Sequence, residues 1–223
     1  RDRDLIEATL SLARARTRRD AVSDAAFEFM GRVLLVEPPY YAREHRSQWL
    51  DVVMRWQQFS GPVMAKGLED SAFYSYNALL SLNEVGGDPL RNKPPFDARE
   101  LHDFHTERQR RWPNTMNCTS THDTKRSEDV RARLNVLTEM PQDYQAAILR
   151  WIAANESKRT RLAGHVAPTP SEEILIYQSL LGAWPLDEAE LPDFQERFQV
   201  YVRKCAREAK EHTNWVQPNE AHE

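Results

Sequence analysis

Apolar residues recur at three- and four-residue steps through most of the 223-residue chain, and only two short runs interrupt that helical pattern. Segments such as residues 24–36 and 192–212 carry one apolar face each, which is typical of amphipathic helices. The two β-prone runs are residues 61–67 and 117–120. The pattern predicts a mainly α chain of eight or nine helices with two short strands. Two strands cannot close a barrel by themselves, so a complete barrel is not expected.

The composition excludes several classes of protein. With 40% apolar and 29% charged residues, the chain is predicted to be globular rather than disordered. A net charge of −4 argues against a nucleic-acid binder, and no run of about 18 apolar residues predicts a transmembrane helix. The two cysteines, without a secretory signal, favour free thiols and a cytoplasmic location. Only 7 glycines are present, fewer than a complete α/β barrel is expected to need.

The densest group of polar residues lies at positions 119–133, directly after the second β-prone run. His122 and Asp123 stand between that run and an amphipathic helix, and α/β barrels place catalytic groups at this kind of junction. Taken alone, a His-Asp pair more often caps a helix or satisfies a loop. The position of the pair makes Asp123 the leading candidate for a catalytic residue.

Two lysines close the two β-prone runs. Lys66 lies at the end of the first run, and Lys125 follows the second. Both side chains could therefore lie at the entrance of one binding site. The simpler alternative for Lys66 is a solvated surface lysine. Lys125 and Arg126 would lower the pKa of nearby carboxylates and could donate hydrogen bonds to a polyhydroxylated ligand.

No cofactor or metal is predicted. His102 and His105 are three residues apart and can share a helix face, but a metal site needs further ligands, and none is fixed by spacing. A solvated helix face is therefore favoured. The cysteines form no CxxC pair, and no glycine-rich phosphate loop is present.

Several long motifs resemble the maltooligosyltrehalose synthases of the α-amylase superfamily. The strongest are GPVMAKGLEDSAFY at residues 61–74, LSLNEVGGDP at 80–89 and STHDTKRSEDVRAR at 120–133. YQSLLGAWP at 177–185 and REAKEHTNWVQPN at 207–219 complete the match. The resemblance implies a maltooligosaccharide or other α-1,4-glucan substrate and no cofactor.

The activity implied by this resemblance is that of an isomerase, a glucan 1-α-D-glucosylmutase. It converts the reducing-end α-1,4 bond of a maltooligosaccharide to an α,α-1,1 (trehalose) bond by a retaining mechanism on a (β/α)8 barrel. A retaining displacement needs two carboxylates, and a third can bind ring hydroxyls more strongly as the transition state forms. By resemblance, Asp123 is the third carboxylate and stabilises the transition state, while His122 binds the same sugar. Lys66 and Lys125 resemble residues that bind the reducing-end glucose.

Glu69, Tyr74 and Arg126 are further substrate-binding candidates by the same resemblance. The motifs for the nucleophile and the acid/base are not found in residues 1–223, so the chain is expected to be a piece of a longer protein and inactive without the remainder. Residues 1–60 would be helices after barrel strand five. Residues 61–133 would carry strands six and seven with their helices and the catalytic-face loop, and residues 134–223 a helical insertion leading toward strand eight.

Two other functions remain open from the sequence. The chain could be a non-catalytic helical module that binds carbohydrate or docks a partner, which would agree with the missing carboxylates. Alternatively, it could belong to an amylase-type glucan hydrolase. The His122-Asp123 pair fits a hydrolase, but Lys125, Arg126 and the motifs at 61–89 fit the rearranging enzyme better.

Overall fold

In this computed structural model, residues 2–17, 22–87, 89, 97–162 and 164–223 are described. The chain divides into two compact units, Arg1–Ala65 and Lys66–Glu223. The described residues are mostly helical, and their only strands form one two-stranded sheet. The mainly α class predicted from the sequence is confirmed.

In the first unit, the residues that the structure describes form three helices. They are α1 (Asp2–Arg16), α2 (Asp24–Leu34) and α3 (Arg46–Met64), with a 3-10 turn at Tyr40–His45 before α3. The Ser23 hydroxyl caps α2 by accepting from the backbone N–H of Ala26 at 3.3 Å. Val33, Trp49 and Val53 form the buried core of the unit, so α2 and α3 are held together by apolar packing.

The described residues of the second unit form six further helices and the sheet. Its helices are α4 (Phe73–Ser75), α5 (Ala98–Arg111), α6 (Glu128–Asn135), α7 (Pro141–Asn155), α8 (Pro170–Ala183) and α9 (Leu191–Ala209). A π-helical segment, Ala65–Ala72, precedes α4, and 3-10 turns lie at Leu80–Leu82, Val136–Thr138, Glu156–Lys158 and Glu188–Glu190. Its buried core is Tyr74, Leu80, Leu134, Leu175 and Cys205.

Helices α6 and α8 pack closely because Gly182 lies on α8 where they meet. A Cβ atom at this position would lie 2.7 Å from Cγ1 of Val130 on α6, closer than any ordinary contact. The start of α8 is fixed by a capping box in which Thr169 and Glu172 each accept from the backbone N–H of the other. These two features set the position of α6, which begins just after Lys125 and Arg126.

A buried glutamine connects α8 to the chain between α4 and residue 80. Gln178 is fully buried, and its side-chain oxygen accepts from the backbone N–H of Leu80 at 2.8 Å. Its side-chain nitrogen donates to the carbonyl of Asn77, also at 2.8 Å. Buried backbone groups need hydrogen-bond partners, and residues 77–80 are not in a regular helix that would supply them. The Gln178 side chain supplies these partners instead.

The prediction of a strand at residues 61–67 is wrong. Helix α3 runs to Met64, and the π-helical segment follows at once. A barrel strand bonds to neighbours on both sides, and the described residues place no strand beside this segment. A helix satisfies the backbone groups within the segment itself, which explains the difference.

The second predicted strand, residues 117–120, is also not a strand but an irregular stretch with a bend at Thr119. The π-helical segment kinks at Asp70, and α4 ends at Ser75. Tyr76 is extended, with φ −91° and ψ 97°. Asn83 then donates to the carbonyls of Phe73 and Tyr76 at 3.0 Å and 2.5 Å, so side chains take over the bonding of this stretch.

The two strands that do form lie outside both β-prone runs. Strand β1 (Thr160–Leu162) pairs antiparallel with β2 (His165–Ala167), and Leu162 lies opposite His165. Gly164, in the connection, has a φ of 95°, which favours glycine. The hairpin was missed because each strand has only three residues, too few for a period-two pattern to be recognised.

Candidate functional site

Asp70 lies at the kink of the π-helical segment. Its φ of −106° and ψ of 24° depart from helical values. Its carbonyl oxygen accepts from the ammonium of Lys210, 2.9 Å away, and from the Ser71 hydroxyl at 2.8 Å. Lys210 follows the end of α9 and has a φ of 59°, in the left-handed region. Asp70 therefore connects its own helical turn to the end of α9.

The carboxylate of Asp70 binds two more lysines, one on each oxygen. Lys66 Nζ lies 2.5 Å from Oδ2, and Lys125 Nζ lies 2.9 Å from Oδ1. Partial burial alone would raise the pKa of Asp70, but the hydrogen bonds from Lys66 and Lys125 outweigh it, and the pKa lies below its ordinary value. Asp70 is therefore ionised at neutral pH. We call Lys66, Asp70, Lys125 and Lys210 the lysine cluster.

The two lysines on the carboxylate differ in exposure. The Lys66 side chain is 75% exposed, whereas that of Lys125 is only 8% exposed. Lys125 Nζ also lies 5.1 Å from the centre of the Tyr74 ring, within the range of a cation–π contact. The hydrogen bond to Asp70 raises the pKa of Lys66. In this structure Lys66 is open to a ligand, and Lys125 is held between a carboxylate and an aromatic ring.

Glu84 fixes the backbone that carries Lys125. Its carboxylate oxygens lie 2.9 Å and 3.0 Å from the backbone nitrogen of Lys125, which donates to them. The backbone N–H of Arg126 donates to the same carboxylate at 3.2 Å. Hydrogen bonds to an ionised acceptor are stronger than neutral ones. Glu84 therefore holds the start of the α6 region beside the lysine cluster.

Arg126 is buried and already bonded to protein atoms. Its Nη2 donates to the Tyr201 hydroxyl at 3.0 Å, and its Nη1 donates to the carbonyl of Leu80 at 3.4 Å. Burial raises the pKa of Tyr201 to about 12. Arg126 Nε has no hydrogen-bond partner among the described residues, and the side chain lines a cavity of about 280 Å³. The present contacts of Arg126 join the cluster region to α9.

Tyr74 and Glu69 are placed differently. Tyr74 is 7% exposed and belongs to the core, and its burial strongly raises the pKa of its hydroxyl. Glu69 precedes Asp70, but its carboxylate accepts from the backbone N–H of Gly86 at 3.2 Å. Tyr74 thus supports Lys125 through its ring, whereas Glu69 contacts the loop after residue 84.

His122 and Asp123 lie on an exposed turn, with side chains 92% and 74% exposed. His122 Nε2 lies 3.4 Å from Asp123 Oδ2. The N–H of Asp123 donates to the Thr121 hydroxyl at 3.2 Å, and the N–H of Thr124 donates to the Thr121 carbonyl at 3.1 Å. We call residues 121–124 the His-Asp turn. The bonds recorded for these residues stay within the turn and do not bring Asp123 into the lysine cluster.

Sequence reasoning missed Asp70, Glu84 and Lys210 as members of the site. Asp70 could have been found, because it follows Lys66 by four residues, and residues at this spacing are neighbours on a helix. No local signal links Asp70 to Lys125, which is 55 residues further along the chain. Lys210 lies within the motif at 207–219, but its contact spans 140 residues.

A second polar cluster, also missed from the sequence, contains three histidines. The rings of His165 and His212 stack with centres 3.9 Å apart, and His165 Nε2 lies 3.1 Å from His222 Nδ1. His222 Nε2 lies 2.8 Å from Glu172 Oε1, beside a cavity of about 550 Å³. Burial lowers the pKa of His165, and the neighbouring histidines lower it further.

His102 and His105 lie exposed on α5. Within the part of the chain that the structure describes, no group of three or more His, Cys, Asp or Glu side chains is placed to hold a metal ion. Cys118 is exposed and Cys205 buried, and both are free thiols. None of the helices in the described ranges is long and apolar enough to cross a membrane.

No protein-family model matches the chain. Two Mycobacterium tuberculosis proteins, from strains CDC 1551 and H37Rv, are provisionally named maltooligosyl trehalose synthase and are each 39% identical to it over 175 residues. The match covers 76% of this chain but only 21% of either relative. The chain thus spans about a fifth of the length of the curated relatives it matches.

Solved structures agree with this similarity. The maltooligosyltrehalose synthase of Arthrobacter ramosus is 33% identical, with a TM-score of 0.71, over 99% of this chain and 25% of that one. A mutant form of that enzyme gives a TM-score of 0.68 at the same identity and coverage. A further maltooligosyl trehalose synthase structure matches 80% of the chain at 32% identity, with a TM-score of 0.66. The chain is therefore a homologue of maltooligosyl trehalose synthase, matched over part of that enzyme's length.

Proposed function

We propose that this chain is part of an intramolecular transglucosylase that acts on maltooligosaccharides. The enzyme converts the α-1,4 bond at the reducing end to an α,α-1,1 bond and leaves a trehalose unit at the chain end. The proposal extends to the whole protein an activity that the names of its homologues suggest. It also carries over to the whole protein the (β/α)8 barrel of the α-amylase superfamily, with residues 61–133 beside its catalytic face.

The observation that carries the proposal is the convergence of Lys66 and Lys125 on one carboxylate. These lysines come from two separate motifs, and each motif by itself resembles a part of the family that binds the reducing-end glucose. In the structure their ammonium groups share Asp70. A sugar that contacted both would lie beside Asp70, and this supports one acceptor subsite rather than two unrelated surface lysines.

The chemistry requires a glucose that leaves and returns. In the first step, the nucleophilic carboxylate forms a bond to C1 of the penultimate glucose, and the bond from C1 to O4 of the terminal glucose breaks. The acid/base group protonates that O4. In the second step, the anomeric hydroxyl of the same glucose attacks C1, the bond to the nucleophile breaks, and the hydroxyl proton passes to the acid/base group. Both of those carboxylates are proposed to lie in the remainder of the protein.

Asp123 is proposed to act between these two carboxylates. Its carboxylate binds ring hydroxyls of the sugar whose C1 becomes positively charged, and this binding strengthens as the oxocarbenium-like state forms. His122 donates to a hydroxyl of the same ring. The exposure of both side chains in this chain leaves them free to contact a sugar.

The remaining candidates are proposed to act on the acceptor side. Lys66 binds the freed glucose directly, since its ammonium is exposed. Lys125 binds the same sugar from its position above the Tyr74 ring. Arg126 and Tyr74 are proposed to support this subsite mainly as buried residues beneath the lysines. Glu69 is proposed to position the loop at Gly86 beside the subsite.

The test is product analysis of the whole protein with maltohexaose. The proposal expects reducing ends to disappear while the chain length stays at six glucose units, and an α,α-1,1 linkage to appear in the NMR spectrum. Release of glucose or maltose with new reducing ends would instead identify a hydrolase. The purified 223-residue chain is expected to give no turnover, and turnover by it would contradict the placement of two catalytic carboxylates outside residues 1–223.

A further inference from the structure

Asp70 is the point at which three separate segments of the second unit meet. Its backbone carbonyl accepts from Lys210 after α9, at 2.9 Å. Its two carboxylate oxygens accept from Lys66 in its own helical turn and from Lys125 before α6. The kink at Asp70 makes this possible, because a residue within a regular helix would have its carbonyl engaged by the backbone.

The two lysines contact different oxygens of the carboxylate. Lys66 is on Oδ2 at 2.5 Å and Lys125 on Oδ1 at 2.9 Å, so both lysines bind at the same time and neither displaces the other. Each ammonium has three N–H donors. One donor of each ammonium is taken by Asp70, which leaves the exposed Lys66 with further donors for a ligand and keeps the nearly covered Lys125 beside it.

Without Asp70 the arrangement of charges would not hold. Lys125 is only 8% exposed, and its other charge partner in the cluster is the face of the Tyr74 ring. An ammonium that is nearly buried is destabilised when it loses its carboxylate partner. Lys66 and Lys125 would also repel each other, and the exposed Lys66 is free to move away into solvent.

We propose that Asp70 is the positioning residue of the acceptor subsite, holding the ammonium groups of Lys66 and Lys125 where they bind the freed glucose. This inference rests on the proposed function. It assigns to Asp70 no contact with the reacting atoms. Its effect is on the fate of the glucose between the two chemical steps.

That fate decides between two products. If the freed glucose stays bound, its anomeric hydroxyl attacks C1, the bond from C1 to the nucleophilic carboxylate breaks, and the proton passes to the acid/base group. If the glucose leaves, water makes the same exchange and gives maltopentaose and glucose. Asp70 therefore favours rearrangement over hydrolysis by keeping the two lysines on the sugar.

The test compares Asp70→Asn with the unchanged whole protein on maltohexaose. The measured quantity is the ratio of trehalose-ended product to free glucose. We expect this ratio to fall at least about ten-fold, because a charge-assisted hydrogen bond to each lysine is lost. Asp70→Glu keeps the charge and is expected to recover much of the ratio. The ratio is independent of the amount of folded enzyme, because both products come from the same active molecules.

Asp51→Asn is the matched control. Asp51 forms an exposed pair with Arg55, four residues away at 3.0 Å in α3, so the same change of charge is made outside the cluster. The product ratio should stay at the unchanged value. An unchanged ratio in Asp70→Asn would overturn the positioning role while leaving the proposed function standing. Absence of trehalose-ended product from the unchanged enzyme would overturn the proposed function itself.

Discussion

The lysine cluster and the His-Asp turn lie close together in sequence at Lys125 but are built in opposite ways. The cluster joins segments that are 55 and 140 residues apart and sets Lys125 into a nearly covered position. The turn is bonded within four residues, and both of its chemical side chains are exposed. The acceptor side of the proposed site is thus organised within this chain. The carboxylate proposed to stabilise the transition state has no such framework here.

This difference separates how easily a motif is recognised from how firmly it is held. The His-Asp pair is the most distinctive feature of the sequence, yet the structure gives it only local support. Asp70 lies within the motif at residues 61–74 without being singled out there as a candidate, yet it bonds to three lysines. We infer that residues of this chain are sufficient to organise the lysine cluster. The contacts that would organise Asp123 are proposed to come from the remainder of the protein.

The largest expected effect is on the rate of the whole protein when Asp123 is changed to Asn. Loss of the charge that stabilises the oxocarbenium-like state should lower kcat by at least about 10²–10³-fold. The melting temperature should stay the same, because the side chain is exposed and bonded only within its turn. Rates with maltohexaose and thermal melts measure both effects.

Glu28→Gln serves as the control for this change. Glu28 forms an exposed pair with Arg32 at 3.0 Å on α2, and the rate should not respond to its loss. A near-normal rate for well-folded Asp123→Asn would remove Asp123 from the site. The His-Asp turn would then have no role in catalysis, although its structural difference from the lysine cluster would remain.

A second, smaller effect concerns stability, and it is expected for the region of the lysine cluster but not for the His-Asp turn. Gln178→Leu leaves the backbone N–H of Leu80 and the carbonyl of Asn77 without their buried partners. Each such group costs about 1–3 kcal/mol, so urea unfolding of the 223-residue chain should show a loss of about 2–6 kcal/mol. Arg126 bonds to the carbonyl of Leu80, so the loss should reach the region that carries Lys125.

Thr121→Val is the counterpart on the exposed side. It removes the hydroxyl that accepts from Asp123, but the donor is solvent-exposed and can bond to water instead. The free energy of unfolding should change by less than about 0.5 kcal/mol. Equal losses for the two variants would contradict the view that the cluster region has a buried framework and the turn does not.

How far the sequence predicts this structure depends on whether the signal is local. Helices α2 and α9 follow from the apolar periodicity of residues 24–36 and 192–212. The run at 61–67 failed, because a strand is defined by neighbours that the described part of the chain does not supply. These residues are helical rather than extended.

The site shows the same limit. Lys66 and Lys125 were each predicted from their own motif, and a shared location was expected from the two strand ends. The strands did not form, yet the lysines meet, because Asp70 rather than a sheet edge brings them together. Long-range side-chain contacts of this kind leave no pattern in one sequence, so neither the contact of Asp70 with Lys125 nor the role of Glu84 could be assigned from spacing alone.

The smallest expected effect is the pH dependence contributed by Asp70. Its pKa in the folded chain lies below the unfolded value of about 3.9, because the bonds from Lys66 and Lys125 outweigh the effect of burial. A lowered carboxyl pKa contributes stability that is fully present above the unfolded pKa and is lost as the pH falls through the folded pKa. Asp70→Asn removes this titration. The unchanged chain should therefore exceed the variant by about 1 kcal/mol above pH ~5, and the difference should shrink below pH ~4.

Urea unfolding of both chains from about pH 7 to about pH 2 measures this difference, and effects of the other carboxylates cancel because both chains contain them. Lys66 is largely exposed, so high salt should weaken its share, whereas the nearly covered pair with Lys125 should persist. A difference that stayed constant over the whole acid range would mean that the charge of Asp70 does not hold the cluster together. In that case the cluster would be no better organised electrostatically than the His-Asp turn.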